Sequence, residues 1–413
     1  MNDDTLRNCV NVSTTLIQNG FEVKVDRKQF QVVYPVEVWN AFPKHLHQEF
    51  SETAAFYFTY HLFFKNKQRL QYQFSPSLTH TLFITGLLMT LPEVILEIPK
   101  AKFSVDALLR LLYQSQHDVI FSPKNIKQQI PITQSYRSSE KNVVIPLSLG
   151  KDSLLTFGIT RELGCSQKLV FFVEPHSRNE VNNKIKLGRD FMKEFGVNIT
   201  YIPVTLGALR EVGRTQWGWD LILTEYTLIL LPYLYQEKAN YLLWSQEQNY
   251  NLPMNTEFGM TLTMNFDETN KWRMYLSALL SYFGSPAQVG SLNEPLLEFS
   301  DTYILHNRYP EIGKYQLSCD NDHKNARSSR WCHACAECSR FYIYLLAMGI
   351  DPHRVGLKDN MLTANKMRYC DAFENDTENL TFQFTDDLLL ALYFIHQRGI
   401  KGAVVELFKK KYL

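Results

Sequence analysis

The chain has 413 residues, of which 45% are hydrophobic and 21% are charged, an ordinary balance for a globular protein of two or three domains. Its formal net charge of +1 gives no strong field that would attract nucleic acid or an anionic membrane, so we expect neither as a partner. The start, MNDDTLRNCVN, lacks the basic and apolar segments of a signal peptide, which favours a cytoplasmic protein.

Residues 1–140 mix strand-like and helix-like segments, which predicts an N-terminal α+β region without a motif that points to chemistry. Residues 21–36 alternate between apolar and polar side chains and predict a hairpin, whereas residues 104–114 have helical spacing. The most apolar stretch, Leu82 to Leu91, is too short to span a bilayer, and we interpret it as a buried helix or strand that ends at the following proline. The polar residues 134–142 predict a linker.

Residues 141–315 alternate between apolar strands and helices. The predicted strands are 143–147, 168–173, 198–204 and 239–245, and the predicted helices between them are 154–163, 179–195 and 221–235. Strands that are apolar throughout are typical of a parallel sheet with both faces covered. With right-handed crossovers, this order predicts a doubly wound α/β fold.

The turn SLGKDS, which begins at Ser148, connects the first of these strands to a helix. The free N–H groups at a helix start favour an anion, and the hydroxyls of Ser148 and Ser153 add donors. Gly150 lets the backbone approach a phosphate, and Lys151 supplies positive charge. Asp152 would repel a bare phosphate, but it suits a Mg²⁺ ion that bridges the carboxylate and the phosphates. We therefore interpret the turn as a phosphate-binding site that also holds Mg²⁺; the alternative is an ordinary turn capped by serine and aspartate.

Four of the seven cysteines lie within twenty residues, at Cys319, Cys332, Cys335 and Cys338. Four thiolates are the usual ligands of a structural Zn²⁺ ion and leave no open position for catalysis. His323 and His333 are reserve ligands, and the alternative is a set of reduced, buried cysteines. Residues 316–413 are thus predicted to form a zinc-bound helical region.

Two helices are predicted in that region, at 338–348 and 385–399. Thr385 is the expected N-cap of the second, with acidic residues in its first turn.

The turn resembles the phosphate-binding loop, Ser-Gly-Gly-x-Asp-Ser, of the PP-loop ATP pyrophosphatase superfamily. It matches at both serines, Gly150 and Asp152, with Lys151 at the variable place and Leu149 where the first glycine is usual. The resemblance implies the HUP fold, also called adenine nucleotide α-hydrolase-like. It also implies cleavage of ATP between the α and β phosphates, with adenylation of a substrate oxygen. In such a fold Phe172 and Val173 would lie beside the adenine, which backbone groups usually contact there; for their side chains the alternative, an ordinary core strand, is favoured.

The loop, the cysteines and the helix SRFYIYLL together resemble two groups of that superfamily. One is the ATP-dependent UDP-N-acetylmuramoyl-L-alanyl-L-glutamate epimerase. The other is 7-cyano-7-deazaguanine synthase, with its relatives in phage-defence operons. Both adenylate a carboxylate on a small molecule or peptide. The lysine in the loop, the long N-terminal region and the segments EPLLEFSD and LSCDND favour the epimerase.

Epimerisation of a glutamate requires a base that removes the α-proton, and Glu247, after the fourth strand, is the candidate. The alternative is a solvated loop glutamate. In the synthase hypothesis, ammonia or an amine attacks the adenylate instead. A protein-conjugating enzyme, or a nucleotide-binding component with a protein partner or a second copy of the chain, is a further alternative.

Basic residues after the third strand are candidates for contact with an anionic substrate or pyrophosphate. They are Arg210 and Arg214, accompanied by Trp217, and the segment 327–330 beside the cysteines is a similar candidate. The alternative for all of them is a solvated surface position.

Overall fold

The computed structural model describes two five-stranded sheets, one small strand pair and the helices that pack on them. The described residues are 9–66, 68–97, 104–122, 136–137, 141–210, 217–255, 261–263, 265–319, 329–373 and 384–413. Most of the predicted linker, 134–142, lies outside the described residues.

The first sheet is built from N-terminal residues. Its strands are β1 (Cys9–Ile17), β2 (Gly20–Val25), β3 (Lys28–Val33), β4 (Arg69–Tyr72) and β5 (Val119–Phe121). The helices of this region are α1 (Val36–Ala41), α2 (His47–Thr59), α3 (Leu62–Asn66), α4 (Leu78–Glu97) and α5 (Val105–Asp118). The strand order is β3-β2-β1-β4-β5, in which β1 pairs antiparallel with β2 and parallel with β4. The sheet is therefore mixed.

Two local predictions for this region are confirmed and one is wrong. β2 and β3 form the predicted hairpin, with Asp26 of the turn in the left-handed region. α5 begins after Ser104, whose hydroxyl accepts a hydrogen bond from the N–H of Ala107 at 3.1 Å. The apolar stretch belongs to α4, which does not end at Pro92 but continues to Glu97. A helix can continue through a proline at the cost of one backbone hydrogen bond and some strain.

The second sheet is parallel throughout. The strands that follow β5 are β6 (Asn142–Pro146), β7 (Ser166–Val173), β8 (Ile199–Pro203), β9 (Tyr241–Leu243), β10 (Met254–Asn255), β11 (Thr261–Leu262) and β12 (Gln288–Gly290). The order in the sheet is β12-β9-β6-β7-β8, and β10 pairs only with β11. The predicted α/β class with parallel strands is confirmed, and β12 is a strand that the sequence analysis missed.

Helices cover both faces of this sheet. The helices after β6 are α6 (Lys151–Glu162), α7 (Arg178–Phe195), α8 (Ile222–Gln236), α9 (Asn270–Tyr282), α10 (Glu298–Arg308), α11 (Pro310–Gly313), α12 (Ala336–Met348), α13 (Thr385–Gln397) and α14 (Ala403–Tyr412). Leu169 and Phe171 of β7 share one hydrophobic cluster with side chains of α6 and α7. Val170, between them, faces the opposite side and belongs to the cluster of α8 and α9. This alternation is the expected period of two along a strand.

α8 lies between the two sheets. Every residue from Thr224 to Tyr235 is buried, and the helix contacts α1, α2 and α9. The hydroxyl of Tyr34, after β3, donates to the carbonyl of Ile229 in α8 at 3.1 Å. One hydrophobic cluster therefore runs from the first sheet through α8 to the second. The three-part division of the chain at residues 140 and 315 stays a prediction.

The predicted ends of the helices agree with the structure more closely than their predicted starts do. Gly164 after α6 and Gly196 after α7 adopt left-handed backbone angles, which stop a helix without strain. α6 begins three residues before its predicted start, because the carbonyl of Gly150 already accepts the N–H of Leu154 at 3.1 Å. Thr385 is the first residue of α13 and not its N-cap, and the residue before it offers no capping side chain.

The C-terminal helices form a third cluster. Side chains of α12, α13 and α14 pack together with the four predicted metal-binding cysteines. Within the described ranges, no helix combines the length and the apolar character that a membrane span requires.

Candidate functional site

A cavity of about 420 Å³ opens at the carboxyl ends of β6, β7 and β9. β6 and β9 are neighbours in the sheet, and the chain order reverses between them, since β7 and β8 lie on one side and β9 and β12 on the other. Open α/β sheets bind ligands in the crevice at such a switch point. The turn that begins at Ser148 follows β6 directly and lies at this edge.

Leu149 adopts a backbone conformation that is usual for glycine. Its φ of 60° lies in the left-handed region, which glycine adopts without strain and leucine adopts at a cost of about 1–2 kcal/mol. The side chain is buried, and the carbonyl accepts the N–H of Leu317 at 2.7 Å. Packing and this hydrogen bond hold the strained conformation.

The polar groups of the turn meet at the start of α6. The hydroxyl of Ser148 accepts the N–H of Gly150 at 3.3 Å and lies 3.3 Å from the hydroxyl of Ser153, which donates to the carbonyl of Gly150 at 3.2 Å. Ser148, Asp152 and Ser153 line the cavity. The predicted site is therefore brought together at one cavity wall, with the first N–H groups of the helix behind it.

Lys151 points away from the cavity. Its ammonium group contacts the carboxylates of Asp152 and Glu247 and lies 3.8 Å from Glu298, and its side chain is only 3% exposed. Burial alone would lower the pKa of Lys151, but the carboxylates outweigh it and raise the pKa well above the ordinary value. The charge that we expected to face phosphates instead neutralises a buried group of acids.

Three carboxylates beside Lys151 form an arrangement that could hold a metal ion. One oxygen each from Asp152, Glu247 and Asp301 lies within 4.8 Å of the others. Asp301 is fully buried beside Asp152 and Asn293. Oε1 of Glu247 is buried and has no hydrogen-bond partner among the described residues. Burial and the nearby Asp152 carboxylate raise the pKa of Asp301 to about 9. Carboxylate oxygens are ligands of Mg²⁺, so these residues fit the predicted ion.

Glu247 is buried beside these acids. It follows β9, is 1% exposed and is not among the residues that line the cavity. Burial, followed by the nearby Asp152 carboxylate, raises its pKa well above the ordinary value. The alternative of a solvated loop glutamate is therefore wrong, and the position favours a metal ligand over a base that acts within the cavity.

A buried ion network extends from this group toward the cysteines. Glu298 accepts a hydrogen bond from the hydroxyl of Tyr344 at 2.9 Å, and its carboxylate also lies 2.9 Å from Nε of Arg340. Arg340 also lies 3.3 Å from Asp371. The sequence analysis quoted the segments that contain Glu298, Asp301 and Arg340 without assigning them roles. The spacing of Glu298 and Asp301, three residues apart on a helix, was the signal that could have placed both on one face.

Replacement of Arg340 by methionine is expected to destabilise the protein by about 3–5 kcal/mol, because Asp371 and Glu298 would stay buried without the guanidinium group that both of them contact. Urea unfolding measures the change in the free energy of unfolding. Arg308→Met is the matched control on α10, since its ion pair with Glu162 is exposed and its loss should change little. Equal changes in both variants would contradict the prediction.

Aromatic side chains form a second wall of the cavity. Phe172 stacks on Tyr226 with ring centroids 3.9 Å apart and an angle of 10°, and Trp244 lies parallel at 6.4 Å from Phe172. All three rings line the cavity, whereas Val173, the other residue predicted beside the adenine, does not. The backbone carbonyl of Val173 accepts the N–H of Val204 at 3.1 Å.

The arginine expected to meet an anionic substrate is buried. Arg210 donates to the carboxylates of Glu174 and Glu225, and its guanidinium group lies 4.9 Å from the ring centre of Trp219. In the structure it neutralises Glu174, which lines the cavity, and the buried Glu225. Arg214 lies outside the described residues. Trp217 is buried and stacks on Phe64 at 5.2 Å, so it belongs to the core and not to the cavity.

Lys184 is the basic residue on the cavity wall, among the described residues. It lies on α7, and its ammonium group is 2.6 Å from the carboxylate of Glu180, which also lines the cavity. Lys184 was not predicted as a site residue, although its spacing from Val181, Gly188 and Phe191 places it on the buried face of α7.

If the cavity binds the phosphates of ATP, as the sequence predicts, the change Lys184→Met should raise the KM for ATP by roughly tenfold or more, because a hydrogen bond to a charged phosphate is worth about 1.5–3 kcal/mol. Steady-state kinetics at varied ATP concentration measure this effect. Lys186→Met, on the exposed side of the same helix, is the control and should leave KM unchanged. An unchanged KM in Lys184→Met would show that the phosphates lie elsewhere.

The four predicted thiols lie together and form the four-cysteine group (Cys319, Cys332, Cys335 and Cys338). The Sγ atoms of Cys319 and Cys335 are 3.8 Å apart, as are those of Cys332 and Cys338. Four sulfurs at zinc-ligand distance around one ion are about 3.8 Å from each other, so the group fits a tetrahedral site. A metal such as zinc could therefore bind here.

The neighbours of the thiols have other partners. His333 contacts the hydroxyl of Ser329 at 3.3 Å, and His323, the other reserve ligand, lies outside the described residues. Arg330, from the segment expected to meet an anion, donates to the carbonyls of Lys314 and Gln316 at 2.8 and 2.6 Å. In the described part of that segment, Arg330 is thus engaged with backbone carbonyls and Ser329 with His333.

Comparison with models of known protein families gives no match for the chain. A comparison with curated proteins gives no match either.

Proposed function

We propose that the chain is an enzyme of the PP-loop type, with the HUP fold, that binds ATP and Mg²⁺ in the cavity and adenylates a substrate carboxylate. The observation that carries this proposal is the position of the turn from Ser148 to Ser153. It connects β6 to α6 at the switch point of a parallel sheet, with Asp152 beside two further carboxylates.

The phosphates of ATP would lie against the start of α6. The free N–H groups at that helix end attract anions, and the hydroxyls of Ser148 and Ser153 line the same wall. Lys184 faces them from α7 and supplies a cation that Lys151 does not supply. This division gives each lysine a separate role: Lys184 binds phosphate, and Lys151 keeps the acids of the metal site together.

Asp152, Glu247 and Asp301 would hold the metal ion that accompanies ATP. When bound, Mg²⁺ neutralises phosphate charge and favours the departure of pyrophosphate. Asp152 is the member of this group that also lines the cavity, so it connects the metal site to the phosphates. The stacked rings of Phe172, Tyr226 and Trp244 would provide an apolar surface for the adenine.

The carboxylic acid substrate would occupy the part of the cavity that ATP leaves free. The first candidate for this substrate is the muramoyl dipeptide nucleotide. One observation favours the second candidate, a reaction of the adenylate with a nitrogen nucleophile. Glu247, the residue predicted to act as the base of an epimerase, is buried against Lys151 and does not line the cavity. A 7-carboxy-7-deazaguanine-type acid, followed by amide or nitrile formation or by conjugation to a protein, therefore has to be tested beside it.

Pyrophosphate release from ATP and Mg²⁺ tests the proposal. The reactions would contain a muramoyl dipeptide nucleotide, 7-carboxy-7-deazaguanine or no acid. Release that depends on one acid would identify the substrate, and mass spectrometry of the product would distinguish epimerisation from amidation. Binding of ATP without release in any reaction would contradict the adenylating activity and would favour a nucleotide-binding subunit of a larger assembly.

A further inference from the structure

The phosphate-binding turn rests on a segment from the C-terminal region. The N–H of Leu317 donates to the carbonyl of Leu149 at 2.7 Å, and the hydroxyl of Ser318 accepts the N–H of Lys151 at 3.3 Å. These two hydrogen bonds involve backbone groups of the turn itself. They hold Leu149 in its left-handed conformation and orient the first peptide group of α6.

The supporting segment is fixed by buried polar contacts. Arg330 holds the carbonyls of Lys314 and Gln316 through one guanidinium nitrogen. The fully buried side chain of Gln316 donates to the hydroxyl of Ser318 at 3.1 Å and contacts the ring of His306 at 2.7 Å. The hydroxyl of Ser318 therefore has a defined position from which it accepts the hydrogen bond of the turn.

Ser318 and Arg330, which fix the supporting segment, are both close in sequence to ligands of the four-cysteine group. Cys319 follows Ser318 directly, and Cys332 lies two residues after Arg330. Consecutive Cα atoms are fixed about 3.8 Å apart, so Ser318 cannot move independently of a metal-bound Cys319. The position of the turn thus depends on how tightly the four sulfurs are held together.

A second connection runs through α12. This helix begins between Cys335 and Cys338 and carries Arg340, which interacts with Glu298. Glu298 in turn lies 3.8 Å from Lys151 in the turn. The four-cysteine group is therefore connected to the turn in two ways. Ser318 contacts the backbone of the turn, and Arg340 contacts the side chain of Lys151 indirectly, through Glu298.

From these contacts we infer that metal bound by the four-cysteine group positions the phosphate-binding turn, so that metal occupancy and ATP affinity are coupled. Ser318 and Arg330 are the positioning residues. The identity of the ligand rests on the proposed function, whereas the coupling of the metal to the turn does not. Linkage makes the effect reciprocal: bound ATP should tighten metal binding by the same factor as bound metal tightens ATP binding.

Hydrogen exchange tests the coupling without a substrate. We compare the zinc-loaded protein with protein treated with a chelator, and we follow peptides that contain residues 147–153 and 314–319. Exchange in both segments should accelerate when the metal is removed, whereas the hairpin of β2 and β3 should be unaffected. Unchanged exchange of the turn in folded, metal-free protein would overturn the inference.

Side-chain variants test the path. Ser318→Ala should keep its bound zinc, measured by elemental analysis, yet bind ATP with Mg²⁺ at least about fivefold more weakly by calorimetry. Its KM for ATP should rise more than its kcat falls, and Ser318→Thr should restore affinity. Ser329→Ala is the matched control, because its hydroxyl contacts His333 beside the thiols and not the turn.

The outcomes separate the two proposals. Wild-type protein that binds no ATP would contradict the proposed function, while the exchange experiment would still decide the coupling. Equal ATP affinity in Ser318→Ala and wild type, with exchange of residues 147–153 unchanged, would overturn the inference. If chelation unfolds the chain, Ser318→Ala and Arg330→Ala decide it, since both leave all four thiols in place.

Discussion

Replacement of Asp152 by alanine is expected to reduce pyrophosphate release by at least about a hundredfold. Asp152 is the acid that belongs to both the cavity wall and the carboxylate group, and its side chain is 29% exposed, so a ligand can reach it. Without it, the metal would lose the ligand next to the phosphates. The measurement is the initial rate of release at saturating ATP and over a range of Mg²⁺ concentrations.

Two further variants make this result specific. Asp190→Asn, at an exposed position of α7, should have the wild-type rate. Asp301→Asn should fold normally, because asparagine has nearly the same size and burial beside Asp152 raises the pKa of Asp301 and so favours its uncharged form. It should nevertheless require more Mg²⁺ for half-maximal release. A wild-type rate in Asp152→Ala would refute the assignment of the turn to the phosphates.

The change Cys332→Ser is expected to remove the bound metal and to lower the free energy of unfolding by more than about 4 kcal/mol. The four buried sulfurs belong to the hydrophobic cluster of the C-terminal helices and lie at zinc-ligand spacing. Loss of the ion would therefore remove the bonds that hold this cluster together. Metal content per chain and urea unfolding measure the two effects. Chelation of the wild-type protein should reproduce them.

Cys165→Ser is the control for that experiment. Cys165 is half-buried and lies outside the four-cysteine group, so its replacement should change neither the metal content nor the stability by a comparable amount. If Cys332→Ser retained one metal ion per chain with unchanged stability, the group would be a set of packed thiols and not a metal site.

Local patterns predicted the elements that place the site, for physical reasons. A continuous apolar run such as residues 168–173 must be buried on both faces, and a glycine such as Gly196 ends a helix through its own backbone freedom. The turn SLGKDS was recognisable because all its polar groups are neighbours in sequence. The strand β12 was missed because three residues are too few to establish a periodicity.

The parts of the site that were missed depend on distant partners. Lys151 and Glu247 are 96 residues apart, and Glu298 and Tyr344 are 46 apart, so no local pattern indicates that they meet. Lys151 was expected to contact the phosphates because the sequence shows the charge of its side chain but not the direction in which the side chain points. Its direction is decided by the carboxylates that α10 and the loop after β9 bring to it.

From the burial of α8 we expect that the N-terminal sheet completes its core late during synthesis. The N-terminal sheet leaves the ribosome first, yet the surface on which it packs is provided by residues 222–236. Until these have emerged, apolar side chains such as Trp39 and Phe50 lack part of their native environment, which is the condition that recruits chaperones. Translation of about a hundred further residues therefore separates the completion of the first sheet from the completion of its core.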